Sequence, residues 1–356
     1  MTPGPPHIGL DLRIADPDGM LRSGLGRYAT ELAGGLLAAR PQWRFSVYSN
    51  RDLGLRAQTT RWPTRSAAGR VAWEHVGSWL DLRRDRPDVW VSPAYVTPAW
   101  WRGPSVVAVH DLSFLEMPER YRGSLNAWHA RTQTARSVKQ ATRVTCGTHA
   151  TAQRIADTLG VAGATVIPYG VSDVFRRPAE PSGGYVLYAG TFEARKGLEI
   201  LLEAMDAVRA QADVDVVLAG SPGWGADAVL AAARERPWVR IVEDPDDTAL
   251  AGLYARALAC AYPSRREGFG LPVAEAMGCG CPVIATDLPE VREWAGDAPL
   301  WVPVGDAPAL AAAVLSLADD AERGRRSAAG GAIAAGLTWQ RTAAGVARLI
   351  EESLPA

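Results

Sequence analysis

Short apolar runs alternate with longer stretches whose apolar residues recur at helical spacing, from one end of the chain to the other. In the first half His7–Leu12, Arg44–Tyr48, Asp88–Ser92, Ser105–His110, Ala141–Cys146 and Ala164–Pro168 read as strands. The first of them is followed by a loop, Arg22–Arg27, and then a helix from about Tyr28 to Ala39. Short apolar strands separated by helices predict a parallel sheet covered on both faces. The pattern restarts after the Pro-rich stretch Arg176–Pro181 and the turn Ser182-Gly-Gly184. Tyr185–Gly190, Val214–Gly220, Val239–Val242, Leu258–Tyr262 and Pro282–Ala285 read as strands, with a helix at Leu198–Arg209 and a last helix at Trp339–Leu354.

The predicted fold class is therefore α/β: two Rossmann-like, doubly wound parallel-sheet domains, residues 1–172 and 173–338, with a linker near 170–184. Ligands of such sheets bind beyond the carboxyl ends of the strands. Two sheets facing each other would present their functional loops across one cleft.

Composition narrows the class. The chain has 356 residues, 47% hydrophobic and 22% charged, as in a soluble globular protein. No stretch approaches the roughly 20 apolar residues of a membrane-spanning helix. Met1–Pro6 has neither a basic nor an apolar leader pattern. The four cysteines (146, 260, 279 and 281) form neither a disulfide framework nor a metal-ligand spacing, so a reducing cytoplasm is expected. The net charge of -1 conceals two opposed halves. Residues 1–178 carry 23 Lys+Arg and 14 Asp+Glu, net +9; the remainder carries 15 and 25, net -10. A basic half attracts anions, which predicts an anionic or membrane-linked acceptor and a peripheral contact with an anionic membrane face.

Chemistry concentrates in four places. The segment Ser264-Arg-Arg-Glu-Gly-Phe-Gly-Leu-Pro-Val-Ala-Glu-Ala-Met277 joins a strand to a helix. Its glycines bare the backbone, Pro272 suits a first helical turn, and free amides at that helix start suit an anion. Glu267 precedes this loop and Glu275 sits about one turn inside the helix, so one carboxylate can reach a polyol and the other a ribose. In Gly190-Thr-Phe-Glu-Ala-Arg-Lys-Gly197, Arg195 and Lys196 occupy a strand–helix junction, and an adjacent Arg–Lys pair suits a diphosphate. Lys196 is one of only two lysines among 38 basic residues. The weaker signals are Gly24-Leu-Gly26 after the first strand and His110-Asp111 at a strand end. No second ligand set accompanies Asp213 and Asp215, so no obligate divalent metal and no cofactor are expected. No Gly-x-Gly-x-x-Gly follows a strand, which argues against a nicotinamide dehydrogenase. Of the 13 tryptophans, Trp100-Trp101 is the best loop candidate for contact with a sugar or a membrane interface.

With these residues laid out, the chain resembles the retaining GT-B glycosyltransferases of the "group 1" family nearly end to end. Glu267 to Glu275 is similar to that family's Glu-x7-Glu motif, and Gly190–Gly197 to its diphosphate-binding segment. Ile167-Pro-Tyr-Gly-Val171, Gly24-Leu-Gly-Arg-Tyr28, Val109-His-Asp-Leu112 and Leu288-Pro-Glu290 also match. The resemblance implies a GT-B architecture with an N-terminal acceptor domain, to which residues 339–356 cross back, and a C-terminal donor domain. It implies that Glu275 binds the donor ribose and Glu267 the sugar hydroxyls, and that Arg195 and Lys196 stabilise the departing diphosphate. Gly268, Phe269, Gly270 and Leu271 would cradle phosphate or sugar through their amides. His110 would contact the donor sugar, and Gly24 and Gly26 would admit the diphosphate. Many members carry an Arg where this chain has Thr191, which places the diphosphate charge on Arg195, Lys196 and helix dipoles.

The implied activity is metal-independent transfer of a hexose, with retention, from a nucleotide sugar to a saccharide, glycolipid or glycoconjugate hydroxyl in bacterial polysaccharide biosynthesis. GDP-mannose is the favoured donor because similar sequences often use it. No nucleic-acid partner is expected. A sugar-nucleotide epimerase and a non-catalytic sugar-nucleotide-binding protein are the competing readings, and the presence of Arg195, Lys196, Glu267 and Glu275 argues against the second.

Overall fold

A computed structural model describes residues 4–16, 20–55, 62, 64, 66–112, 115, 125–176 and 184–354. The linker stretch 177–183 and the side chain of Trp128 lie outside the described residues. The chain forms two compact units, one of Met1–Gly170 with Trp339–Ala356 and one of Val171–Thr338.

In the first unit six parallel strands, β1 (His7–Asp11), β2 (Arg44–Tyr48), β3 (Val89–Ser92), β4 (Ser105–Ala108), β5 (Arg143–Cys146) and β6 (Thr165–Val166), form a sheet in the order β2-β1-β3-β4-β5-β6. The helices are α1 (Gly24–Ala39), α2 (Ala67–Ala72), α3 (Ser78–Asp85), α4 (Leu125–Gln140) and α5 (His149–Leu159). All residues of β1, β3 and β4 are buried, as expected for central strands covered on both faces. The strand order reverses between β1 and β3, and the crevice beyond such a reversal is where doubly wound sheets bind ligands.

One expectation is corrected here. Gly24-Leu-Gly26 is not a loop but the first turn of α1, which starts four residues earlier than the hydrophobic spacing places it. Ser23 is the reason: its side chain accepts the Gly26 N–H and caps the helix. Gly26 owes its lack of a side chain to packing, since a Cβ there would lie 2.0 Å from the Met20 carbonyl oxygen.

In the second unit β7 (Tyr185–Ala189), β8 (Asp215–Gly220), β9 (Val239–Glu243), β10 (Ala259–Tyr262), β11 (Val283–Thr286) and β12 (Leu300–Val302) form a parallel sheet in the order β12-β11-β10-β7-β8-β9. Its helices are α6 (Leu198–Arg209), α7 (Asp227–Arg234), α8 (Asp247–Arg256), α9 (Leu271–Gly278), α10 (Pro289–Ala295), α11 (Ala307–Ser316) and α12 (Asp320–Gly336). A single core joins Tyr188, Phe192, Leu201, Met205, Leu218 and Ile284 with side chains from α7 and α11. The order reverses between β7 and β10, so the favoured crevice lies between their carboxyl ends. Asp213 and Asp215, for which the sequence offers no second ligand set, both meet Arg209.

The last helix, α13 (Trp339–Glu351), belongs to the first unit and packs along α1. A Cβ on Gly35 would lie 2.6 Å from the Ala343 methyl, so the glycine sets how closely the two helices approach. Tyr28 and Trp339 meet edge to face with centroids 5.8 Å apart. No helix among the described residues is long and apolar enough to cross a membrane.

Candidate active site

The strongest cluster of the second unit sits at its strand reversal. After β7 the chain crosses Gly190 and makes a 3-10 turn, Ala194–Lys196, before α6. After β10 it runs through Pro263–Gly270 into α9. Two close approaches lock the first loop in place. Gly197 has φ +68°, and a Cβ there would stand 2.2 Å from the Pro263 carbonyl oxygen. Gly220 has φ +151°, and its Cβ would stand 1.9 Å from the Gly190 carbonyl oxygen. Only glycine meets both demands at each place.

This junction brings Lys196 and Glu267 together. The Lys196 Nζ donates to Glu267 Oε1 at 2.6 Å and to the Tyr262 hydroxyl at 3.2 Å. Arg195 Nε donates to Glu193 Oε2 at 2.8 Å, and its Nη1 reaches the Arg266 carbonyl at 3.1 Å and Glu267 Oε1 at 3.8 Å. The backbone closes the same contact, with the Arg265 N–H donating to the Arg195 carbonyl at 2.8 Å. Lys196, Glu193 and Glu267 are each under a tenth exposed.

Burial works against the charges of Lys196 and Glu267, and the partners decide the balance. Burial pulls the Lys196 ammonium below its usual value, with Glu267 opposing and the neighbouring Arg195 assisting. For Glu267 burial is outweighed by Lys196 and Arg195, which hold the carboxyl below the usual carboxylate range. Two cations against two carboxylates make a nearly neutral network in the loops that follow β7 and β10. Such a network can receive a dianion by exchanging partners rather than by ordering new side chains.

The loop beyond Glu267 is also fixed. Gly270 has φ +87° and caps α9, whose first turn contains Pro272. Phe269 stacks on Trp294 with centroids 4.8 Å apart and planes 13° from parallel, and the Trp294 indole N–H donates to the Phe269 carbonyl at 2.9 Å. The residues Gly268–Leu271 thus lie directly after Glu267 on a braced turn. Glu275 is not part of the ionic cluster. It is 3% exposed on α9, with Oε2 3.5 Å from the Tyr254 hydroxyl. Burial and the nearby Glu275 charge push the Cys279 thiol up to about 12.

In the first unit His110 follows β4 and is 7% exposed. Its Nε2 stands 2.6 Å from the Pro93 carbonyl and its Nδ1 2.8 Å from the Tyr169 hydroxyl. The carbonyl can only accept, so Nε2 carries the proton and Nδ1 accepts from Tyr169. Burial lowers the imidazole to about 4, with the Pro93 carbonyl and Asp111 opposing. The ring is therefore neutral at pH 7, with both nitrogens engaged, and its edges meet Tyr28, Tyr95 and Tyr169. At the end of β1, Asp11 and Arg13 form a buried pair, with the Arg13 guanidinium 4.1 Å from the Trp73 ring centroid.

Sequence reasoning did not single out Glu193, Tyr262, Trp294, Asp11 or Arg13. Glu193 and Tyr262 stand inside or beside the quoted segments, two residues from Arg195 and five from Glu267. Trp294 had no local signal, since it is 25 residues from the carbonyl it binds.

The comparisons with known proteins agree with this architecture. The family profile "Glycosyltransferase Family 4" matches residues 22–175, and "Glycosyl transferases group 1" matches residues 183–320. An O-antigen chain mannosyltransferase B of Escherichia coli is 37% identical over 163 residues, covering 44% of this chain and 43% of the relative. A phosphatidyl-myo-inositol mannosyltransferase of Mycobacterium leprae is 32% identical over 200 residues, 53% of each. The matched segments thus span about half the length of these curated relatives. Among solved structures, a sucrose-phosphate synthase from Thermosynechococcus elongatus superposes with a TM-score of 0.77 at 21% identity over 98% of both chains. The chain belongs to the group 1 glycosyltransferases and has their GT-B fold.

Proposed function

We propose that the protein transfers a hexose, mannose being the favoured sugar, from a nucleotide diphosphate sugar to a hydroxyl of a saccharide or lipid-linked acceptor. The observation that carries this is the cluster of Arg195 with the buried Lys196 and Glu267 at the strand reversal of the second unit. The names of the relatives, both mannosyltransferases, favour mannose and with it GDP-mannose. In this reading the second unit takes the donor and the first, basic unit takes the acceptor, which is linked to an anionic membrane surface.

Each side chain has a place in the reaction. Arg195 and Lys196 exchange carboxylate partners for the diphosphate oxygens and hold the charge that develops as the bond from sugar C1 to the diphosphate breaks. The acceptor oxygen bonds to C1 on the face that the diphosphate leaves, and the acceptor proton passes to a departing diphosphate oxygen. Glu267, freed from Lys196, binds sugar hydroxyls, and the amides from Gly268 to Leu271 position the phosphate or sugar. Glu275 binds the ribose once its hydrogen bond to Tyr254 is given up. With leaving-group charge met by two protein cations, no divalent metal is required.

The test is a panel of UDP-, GDP-, dTDP- and ADP-sugars, read by thermal shift and donor hydrolysis with EDTA throughout. One donor should raise Tm and be hydrolysed, and Lys196→Ala and Glu275→Ala should lose the shift. A folded protein that responds to no donor would overturn the proposal. A donor isomerised without any acceptor would place an epimerase first.

A further inference from the structure

The first unit carries an apolar surface that its own fold does not use. Residues 67–85 form one helical run: α2, a π-helical turn at Trp73–Gly77, and α3. Trp73, Glu74, Ser78 and Asp81 point inward and are buried. The opposite face exposes Val76 (58%), Trp79 (40%) and Leu80 (49%), with Val76 three and four residues before the other two and therefore beside both. Trp100, 53% exposed, joins it from another loop, because its indole N–H donates to the His75 carbonyl at 2.5 Å. These are four of the seven large hydrophobic residues exposed among the described residues, so the exposure is clustered.

The rim of this patch is cationic. The Arg83 guanidinium lies 4.1 Å from the Trp79 ring centroid. Arg83, Arg86 and Arg102 are exposed, and none is ion-paired with a carboxylate among the described residues. A groove of about 490 Å³ runs between Trp79, Arg83, Trp100 and Arg102. Asp88 also lines it, and its Oδ2 already accepts the His7 N–H. Tryptophan and leucine at the centre with guanidiniums at the edge match a bilayer interface, where rings sit at headgroup level and arginines meet lipid phosphates. A two-fold contact with a second copy would instead bring two copies of this cationic rim to one seam.

We propose that Val76, Trp79, Leu80 and Trp100, rimmed by Arg83, Arg86 and Arg102, form the face that docks on an anionic lipid surface. This rests on the reading above that the acceptor is membrane-linked, and it assigns that reading a surface.

Sedimentation with vesicles tests it. The full chain should pellet with phosphatidylcholine vesicles containing phosphatidylglycerol, less at high salt, and poorly with phosphatidylcholine alone. The double variant Trp79→Ser/Leu80→Ser should lower partition by about tenfold, since it removes two of the four apolar anchors. Its Tm should match the parent, because both side chains are exposed. Val304→Ser, at an exposed valine of the second unit, should pellet like the parent. If the parent pellets and the double variant pellets equally, the patch is wrong and the membrane reading stands. If the parent never pellets, both fall. A parent that elutes as a dimer, becomes monomeric in the double variant and ignores vesicles would overturn the proposal in favour of a contact between copies.

Discussion

Lys196 Nζ and Glu267 Oε1 meet at 2.6 Å although they are 71 residues apart and enter from different strand–helix loops. The bond joins the carboxyl ends of β7 and β10, which are neighbours only because the strand order reverses there. It is at once a structural clasp and the resting state of a pair of cations.

Removing one partner should cost more than removing both. Glu267→Gln leaves Lys196 buried beside Arg195 with its main counter-charge gone, and stability should fall by about 3 kcal/mol. Lys196→Met combined with Glu267→Leu replaces the pair by apolar groups and should recover part of that loss. Urea unfolding of the two single variants and the double variant gives the coupling. Strict additivity would mean that the two side chains do not interact.

His110 should make stability fall on mild acidification. Its folded value is about 4, below the ordinary 6.5. Between those values the unfolded chain binds a proton that the folded one refuses, so this contribution is full above pH 6.5 and is lost as pH falls towards 4. The size is about 3 kcal/mol across that window. Unfolding at pH 7.5 and pH 5 should show a steeper loss in the parent than in His110→Gln. Equal slopes would show that the imidazole is not held neutral.

Trp294 braces the turn after Glu267 by its indole N–H and its stacking face together. Trp294→Phe keeps the stack and should lose about 1 kcal/mol, whereas Trp294→Leu loses both contacts and should cost about 2 kcal/mol. Thermal unfolding orders the two. A Leu variant as stable as the parent would remove Trp294 from the support of the loop.

Gly197 and Gly160 form an internal comparison. Both have φ +68°, but a Cβ on Gly160 meets nothing within 4 Å while one on Gly197 runs into the Pro263 carbonyl. Gly160→Ala should cost about 1 kcal/mol from the left-handed backbone alone. Gly197→Ala adds a backbone collision and should cost clearly more than about 2 kcal/mol. Similar losses would show that the two loops can slide apart.

The α/β class was legible because buried parallel strands appear as short apolar runs, and Tyr185–Ala189 and Arg44–Tyr48 stand where the pattern places them. What failed was local. The start of α1 was hidden because two glycines in its first turn resemble a loop, and the Ser23 cap is a single hydrogen bond. The strand β12 was missed because Leu300–Val302 is three residues long and lies at the sheet edge. At the site, the clustering of Arg195, Lys196 and Glu267 follows from two strand ends that the topology makes adjacent. The brace from Trp294 did not follow, since packing partners distant in sequence leave no periodicity. The neutrality of His110 comes from burial, and the carbonyl and tyrosine hydroxyl that engage its two nitrogens come from different loops.

The pairing of α1 with α13 has a temporal side. The second unit, Val171–Thr338, is one uninterrupted stretch and can complete its core as soon as it leaves the ribosome. The first unit begins earlier but lacks the helix that packs on Gly35 and Tyr28 until Trp339–Glu351 has been made. The part synthesised first is thus the last to close, and during that interval the outer face of α1 is bare. A chain truncated after Thr338 should show protease protection in the second unit and not in the first.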